Sequence, residues 1–159
     1  MKSVCLAVAI AISLNACVTT QAGGEKTTPA VSCHATNEAE IASLFDRWND
    51  SLLSGDVHKV VANYAERSIL LPTVSNKPRL TVAEKDDYFE HFLENRPSGK
   101  IDFRWIDIGC NSAVDAGLYT FTFAKTGAVV HARYSYTYAW TGGHWLITSH
   151  HSSAMPEKQ

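Results

Sequence analysis

Val129-Val130-His131-Ala132-Arg133-Tyr134-Ser135-Tyr136-Thr137-Tyr138-Ala139-Trp140, then Thr141-Gly142-Gly143, then Trp145-Leu146-Ile147-Thr148-Ser149-His150-His151-Ser152-Ser153-Ala154-Met155-Pro156, decide the fold of this chain. Both long runs alternate their side chains with a period of two, the spacing of a strand, and the glycines between them mark a hairpin turn. Tyr134, Tyr136, Tyr138 and Trp140 share one face of the first strand, and this aromatic ladder reads as a packing surface between two copies of the chain. His131 and Arg133 share parity with each other. Strict alternation in the second strand groups His151 and Ser153 with Trp145 and Ile147, and His150 and Ser152 with Leu146. One His-Ser pair therefore looks into the body of the domain, where a polar group needs a reason to be. A slip of one residue would exchange the two pairs.

Two further alternating segments precede these, Ile101–Ile108 and Ala116–Phe123, separated by turns at Asn111-Ser112 and Lys125-Thr126-Gly127. Together they predict four long antiparallel strands. Upstream the period changes. Asn37 caps a helix in which Ile41, Leu44, Phe45, Trp48 and Leu52 recur at helical spacing, with Glu38 and Glu40 in the first turn and Gly55 at its end. Asp56 caps a short second helix whose buried stripe is Val57, Val60, Val61 and Tyr64. Ser68–Leu71 is a short strand stopped by Pro72, and a loop runs from Thr73 to Arg79. Thr81 caps a third helix, Val82–Leu93, and Arg96-Pro97-Ser98-Gly99 forms a turn. The class is α+β, with helices covering one side of a curved sheet.

A chain of 159 residues with a formal net charge of −2 and no basic cluster is a poor fit to nucleic-acid binding. Its first segment reads as a targeting signal: Lys2, then an apolar run from Val4 to Leu14 that is too short for a membrane anchor. Leu14-Asn15-Ala16-Cys17 resembles a bacterial lipoprotein box, so residues 1–16 are expected to be a signal peptide and Cys17 the lipidated residue. Val18, rather than aspartate, follows the cysteine, which points to an outer-membrane lipoprotein facing the periplasm. Cleavage after Ala22 would instead give a soluble periplasmic protein. Residues 17–32 read as a flexible tether and 33–159 as the folded domain. In an oxidising compartment Cys33 and Cys110 are expected to pair, closing a loop worth roughly 4 kcal/mol in chain entropy.

The helical start, the loop Leu71-Pro72-Thr73-Val74-Ser75-Asn76-Lys77-Pro78-Arg79, the stretch Asp87–Leu93 and the terminal His150–Glu157 together resemble the iota class of carbonic anhydrases, from about Cys33 to Glu157. Those enzymes are built on the association-domain module of calcium/calmodulin-dependent kinase II. The resemblance implies a cone-shaped nuclear transport factor 2-like fold, reversible hydration of carbon dioxide to bicarbonate, and a homodimer formed through the sheet. It also implies hydroxyl and imidazole groups that hold substrate in the cone, in a family described both with and without a metal.

The residues carry their own chemistry. Hydration needs an acceptor for the water proton and donors for the growing oxygen charge. Thr73, Tyr88 and Ser153 offer hydroxyls, and Arg133 a guanidinium either in the cone or on the solvated face. His151 is the expected proton acceptor, with His150 and Ser152 as the alternative pair. The seven histidines are scattered, and neighbours on one strand cannot readily serve one ion. A metal-free site with no cofactor is expected, with zinc or manganese as the alternative. Two other readings compete: an assembly or small-ligand-binding module without chemistry, and an isomerase-like enzyme using a buried carboxylate among Asp102, Asp107 and Asp115.

Overall fold

The computed structural model describes residues 32–157. The expected signal peptide, the lipidation at Cys17 and all of the tether but Ser32 lie outside them. Helix α1 spans Glu38–Leu53, and the Asn37 side chain accepts from the Glu40 N–H at 2.9 Å, satisfying one of the free donors of its first turn. Gly55, at φ +70°, lets the chain turn back at once into α2, Val57–Val61. Strand β1 is Tyr64–Leu71, so Tyr64 opens a strand instead of closing the α2 stripe. Helix α3, Val82–Leu93, starts on a reciprocal pair in which the Thr81 hydroxyl accepts from the Glu84 N–H and the Glu84 carboxylate accepts from the Thr81 N–H.

The remaining strands are β2 Pro97–Gly109, β3 Ser112–Phe123, β4 Ala128–Thr141 and β5 His144–Ala154. They form one five-stranded sheet in the order β1-β5-β4-β3-β2. β1 runs parallel to β5; all other neighbours are antiparallel. The expected turn at Arg96–Gly99 is shorter than anticipated, because only Arg96 takes a positive φ and Pro97 already pairs with Phe123. A proline is tolerated as the first residue of a strand, where no ladder donor is required.

Helix α1 lies across the concave side of the sheet. Its Trp48 ring packs edge-on to Phe121 at 6.2 Å and to Tyr136 at 5.8 Å, and Phe45 meets Tyr134 at 6.4 Å. The tyrosine ladder is therefore interior. Tyr134, Tyr136 and Tyr138 are 4%, 0% and 0% exposed, which corrects the expectation that they form a surface between copies. These positions share the α1-facing side, and large aromatic rings beneath a helix stripe form the core. Trp140, farther along, stacks on His34 at 3.5 Å. The convex side instead exposes Phe103, Trp105 and Val129.

Cys33 and Cys110 form a disulfide across 77 residues of sequence, tying the segment before α1 to the β2–β3 turn. Closing a loop of that length is worth roughly 4 kcal/mol in the chain-entropy account.

Candidate functional site

One register break sets the site. In the β4–β5 ladder Tyr138 pairs with Ile147, but Thr137 pairs with Ser149, leaving Thr148 as an extra residue. Its hydroxyl donates to the Thr137 carbonyl at 3.1 Å. A bulge of this kind reverses the parity of every residue beyond it. Trp145 and Ile147 face inward as expected, yet after the bulge His150 and Ser152 continue inward, at 4% and 8% exposure. His151 and Ser153 fall on the convex face, where the Ser153 hydroxyl accepts from Arg133 Nε at 3.2 Å. Arg133 is exposed there, as is His131, whose Nδ1 meets the Thr120 hydroxyl at 2.8 Å. The structure thus replaces the expected pair His151/Ser153 with His150/Ser152, and it moves Arg133 out of the cone.

Between α1, α3, the loop after β1 and the concave sheet lies a cavity of about 300 Å³. Its walls are largely aromatic and aliphatic: Trp48, Leu70, Phe89, Phe92, Phe121 and Val130 contribute, together with six polar side chains, Thr73, Tyr88, Asn95, Tyr119, His150 and Ser152. Three hydroxyls meet on one side. Tyr119 donates to Ser152 Oγ at 2.5 Å, and Thr73 Oγ1 shares a hydrogen bond with the same Ser152 oxygen. Three hydroxyl protons serve two hydrogen bonds, so one proton of the trio is left for a ligand. Burial raises Tyr119 above the usual phenol range and pushes Tyr88 up to about 12, so both remain protonated donors at neutral pH.

His150 adjoins this trio. Its Nδ1 lies 2.8 Å from the Tyr64 hydroxyl, its ring stacks 4.1 Å from that of Tyr136, and its Nε2 is buried without a hydrogen-bond partner. Burial, with a smaller push from His151, holds its pKa down at about 3. It is therefore a neutral imidazole at physiological pH. One ring nitrogen faces tyrosine and the other is uncommitted.

Thr73 reaches the trio because Pro72 ends β1 and the loop is pinned at its far end by paired Leu70 and Arg79 backbone bonds of 3.0 and 2.9 Å. Lys85 of α3 adds a second pin. Only 1% exposed, it donates through Nζ to Ser68 O at 3.1 Å and Leu80 O at 2.9 Å, while burial lowers its pKa. Residue spacing pointed to neither Lys85 nor Tyr119. The alternation of Tyr119 with Phe121 was the available signal for the latter.

The buried carboxylate is Asp115, fully enclosed under α1. It accepts from Tyr134 OH at 2.8 Å and from Arg104 Nε at 3.2 Å. Burial is the largest influence on it and raises its pKa, against the lowering effects of Tyr134 and Arg104. It does not line the cavity, and Asp102 and Asp107 are on exposed strand positions. For a zinc or manganese ion, no cluster of three His, Cys, Asp or Glu side chains converges among the described residues, and the cavity contributes a single imidazole. That donor set does not match either metal.

The sequence matches the family described as calcium/calmodulin dependent protein kinase II association domain over residues 37–156. A Xanthomonas campestris protein of known structure, described as such an association domain, is 47% identical, covers 80% of this chain and 96% of its own, and superposes with a TM-score of 0.73. An NTF2-like protein of unknown function from Pseudomonas putida shares the fold at 17% identity, with 74% and 86% coverage and a TM-score of 0.66. A Streptomyces avermitilis protein described as a dehydratase of the NTF2-like family does so at 9% identity, with 75% and 96% coverage and a TM-score of 0.68. The fold is the α+β NTF2-like one, three helices on a five-stranded, mostly antiparallel sheet. No curated protein matches the chain.

Proposed function

Because the chain belongs to the calcium/calmodulin-dependent protein kinase II association domain family, on whose scaffold the iota-class enzymes it resembles are also built, we propose that its cone carries out the reversible hydration of carbon dioxide. The observation that carries this reading is the convergence of Thr73, Ser152, Tyr119 and His150 in a largely apolar cavity. Carbon dioxide is a neutral, apolar molecule, and the aromatic walls suit it. The unspent proton of the hydroxyl trio donates to the oxygen on which charge grows as water attacks carbon. A preorganised donor of this kind is worth about 3 kcal/mol in the transition state. Neutral His150 accepts the water proton, which leaves bicarbonate and an imidazolium. For Nε2 to accept, the ring proton sits on Nδ1 and points at the Tyr64 oxygen 2.8 Å away, which fixes the tautomer the step requires. A base held near 3 binds the water proton weakly, so its help belongs near the low end, about 10²-fold.

Stopped-flow hydration by chelator-stripped protein tests the reading, with Ser152→Ala and Thr73→Ala alongside. Chelator-resistant turnover that falls about 10²-fold in either variant supports it. Turnover that returns only with added zinc or manganese, or that ignores both substitutions, overturns it.

A second reading, a non-catalytic assembly module, is favoured by the convex face. Phe103 and Trp105 are 59% and 55% exposed there, beside Leu118 paired with Phe103. This apolar surface supports a homodimer under either reading, and sedimentation of Trp105→Glu as a monomer beside a dimeric parent would establish that interface. The Cys33–Cys110 disulfide supports an exported, periplasmic setting.

A further inference from the structure

Bicarbonate carries a charge, and no residue lining the cavity does at neutral pH, since His150 is held neutral by burial. Moving an anion into such a space without a counter-charge is costly. The cavity does have a mouth. A second hollow of about 410 Å³ shares Val74, Tyr88, Phe92 and Asn95 with it and adds Arg79, Asp87 and His91. Arg79 is placed there by its backbone bonds to Leu70, and its guanidinium lies over the Tyr88 ring at 5.7 Å. Its side chain is only 14% exposed. Nη1 donates to Asp87 Oδ2 at 2.9 Å, while Nε has no partner. The neighbouring cation Lys77 is occupied by Glu84 at 3.2 Å.

We propose that Arg79 is the oxyanion-receiving residue of this mouth, a site for planar, singly charged oxyanions that adjoins the apolar cavity through Tyr88 and Asn95. The inference rests on the hydration reading for the identity of its natural ligand, bicarbonate, but the anion site itself does not depend on that reading. A planar guanidinium fork matches a three-oxygen anion in two parallel hydrogen bonds. Asp87 competes for the same fork and keeps the site weak, which suits an anion that must leave. His91 donates its Nδ1–H to the Asp87 carbonyl at 2.8 Å and faces the same hollow. The division is then spatial: neutral gas in the aromatic interior, charged product at the arginine.

Both directions of one reaction are tied by its equilibrium constant, so a binding measurement discriminates better than a rate. Nitrate serves as a planar, unreactive probe, followed by the Arg79 Nε–H resonance in the full-length protein. Saturable movement of that resonance is expected in the parent, and titrations read from the backbone amides of Val74 and Tyr88, which the variants keep, should show binding about tenfold weaker in Arg79→Met and a few-fold tighter in Asp87→Asn. A resonance that nitrate leaves in place, or equal affinities in Asp87→Asn and the parent, overturns the proposal. Nitrate binding that depends on Arg79 in a protein without hydration activity removes the reading and leaves the anion site. Hydration whose inhibition by nitrate is unchanged in Arg79→Met removes the anion site and leaves the reading.

Discussion

His150 with Ser152 and His151 with Ser153 are the same two residue types, interleaved on one strand, in opposite physical worlds. The first pair lies under Trp48 and Tyr136, with the imidazole held neutral and the serine joined to two other hydroxyls. The second pair is on the convex face, with the histidine in solvent and the serine bound to an exposed arginine. Residue type contributes nothing to the difference. One extra residue, Thr148, decides which pair is buried, and burial then decides protonation state, hydrogen-bond partners and access to the cavity.

Inserting one alanine between Ser149 and His150 attacks that comparison most severely. With the Thr148 bulge still in place, every later residue moves on by one position, driving His151 and Ser153 under α1 and His150 and Ser152 out of the cavity. We expect a loss of more than about 4 kcal/mol, or failure to fold, in chemical denaturation. A variant of parental stability would show that strand parity beyond the bulge does not choose the inward pair. Ser152→Ala against Ser153→Ala is the next contrast: hydration should fall about 10²-fold in the first and stay within about twofold in the second. Equal losses would erase the distinction between the faces.

Acid probes the inward histidine. Folded His150 titrates at about 3, below the value of about 6.5 for a free imidazole. The unfolded chain therefore takes up the proton first. Stability contributed by neutral His150 is complete above about pH 6.5 and drains away as pH falls toward about 3. Between about pH 6.5 and about pH 4 this amounts to about 3 kcal/mol. Asp115, with its pKa raised by burial, works in the opposite sense and tempers the slope. His150→Gln should flatten the pH dependence of the unfolding free energy, and a slope as steep as in the parent would show that His150 is not its source. The smallest effect belongs to Arg133→Ala, for which a change within about 0.5 kcal/mol is expected in thermal unfolding, since an exposed arginine–serine contact contributes little.

Helix caps were legible in the chain because their chemistry is local: Asn37, Asp56 and Thr81 each accept from an N–H two or three residues ahead. The strand order was not, since the parallel pairing of β1 with β5 joins segments far apart in sequence. Thr73 and Ser152 were both singled out, yet period-two counting placed the wrong serine beside the threonine. A bulge leaves no trace in alternation; Thr148 is as ordinary a strand residue as Thr137. The tyrosine ladder misled for a related reason. Alternation shows that Tyr134, Tyr136 and Tyr138 share a side, but only the position of α1 shows which side is dry. Lys85 escaped attention because a lysine on a helix is normally solvated, and the two carbonyls that hold it come from β1 and from the residue before the α3 cap.

The crosslink between Cys33 and Cys110 also governs how the domain answers mechanical load. Any pull arriving through the chain ahead of Ser32 passes at Cys33 into the β2–β3 hairpin as well as into α1, which begins only at Glu38. Force is thereby shared with the long hydrogen-bonded ladder of β2 and β3, where rupture must break several bonds together. A helix that alone would peel away turn by turn is spared, and with it the roof over the hollow that Thr73 and Ser152 line.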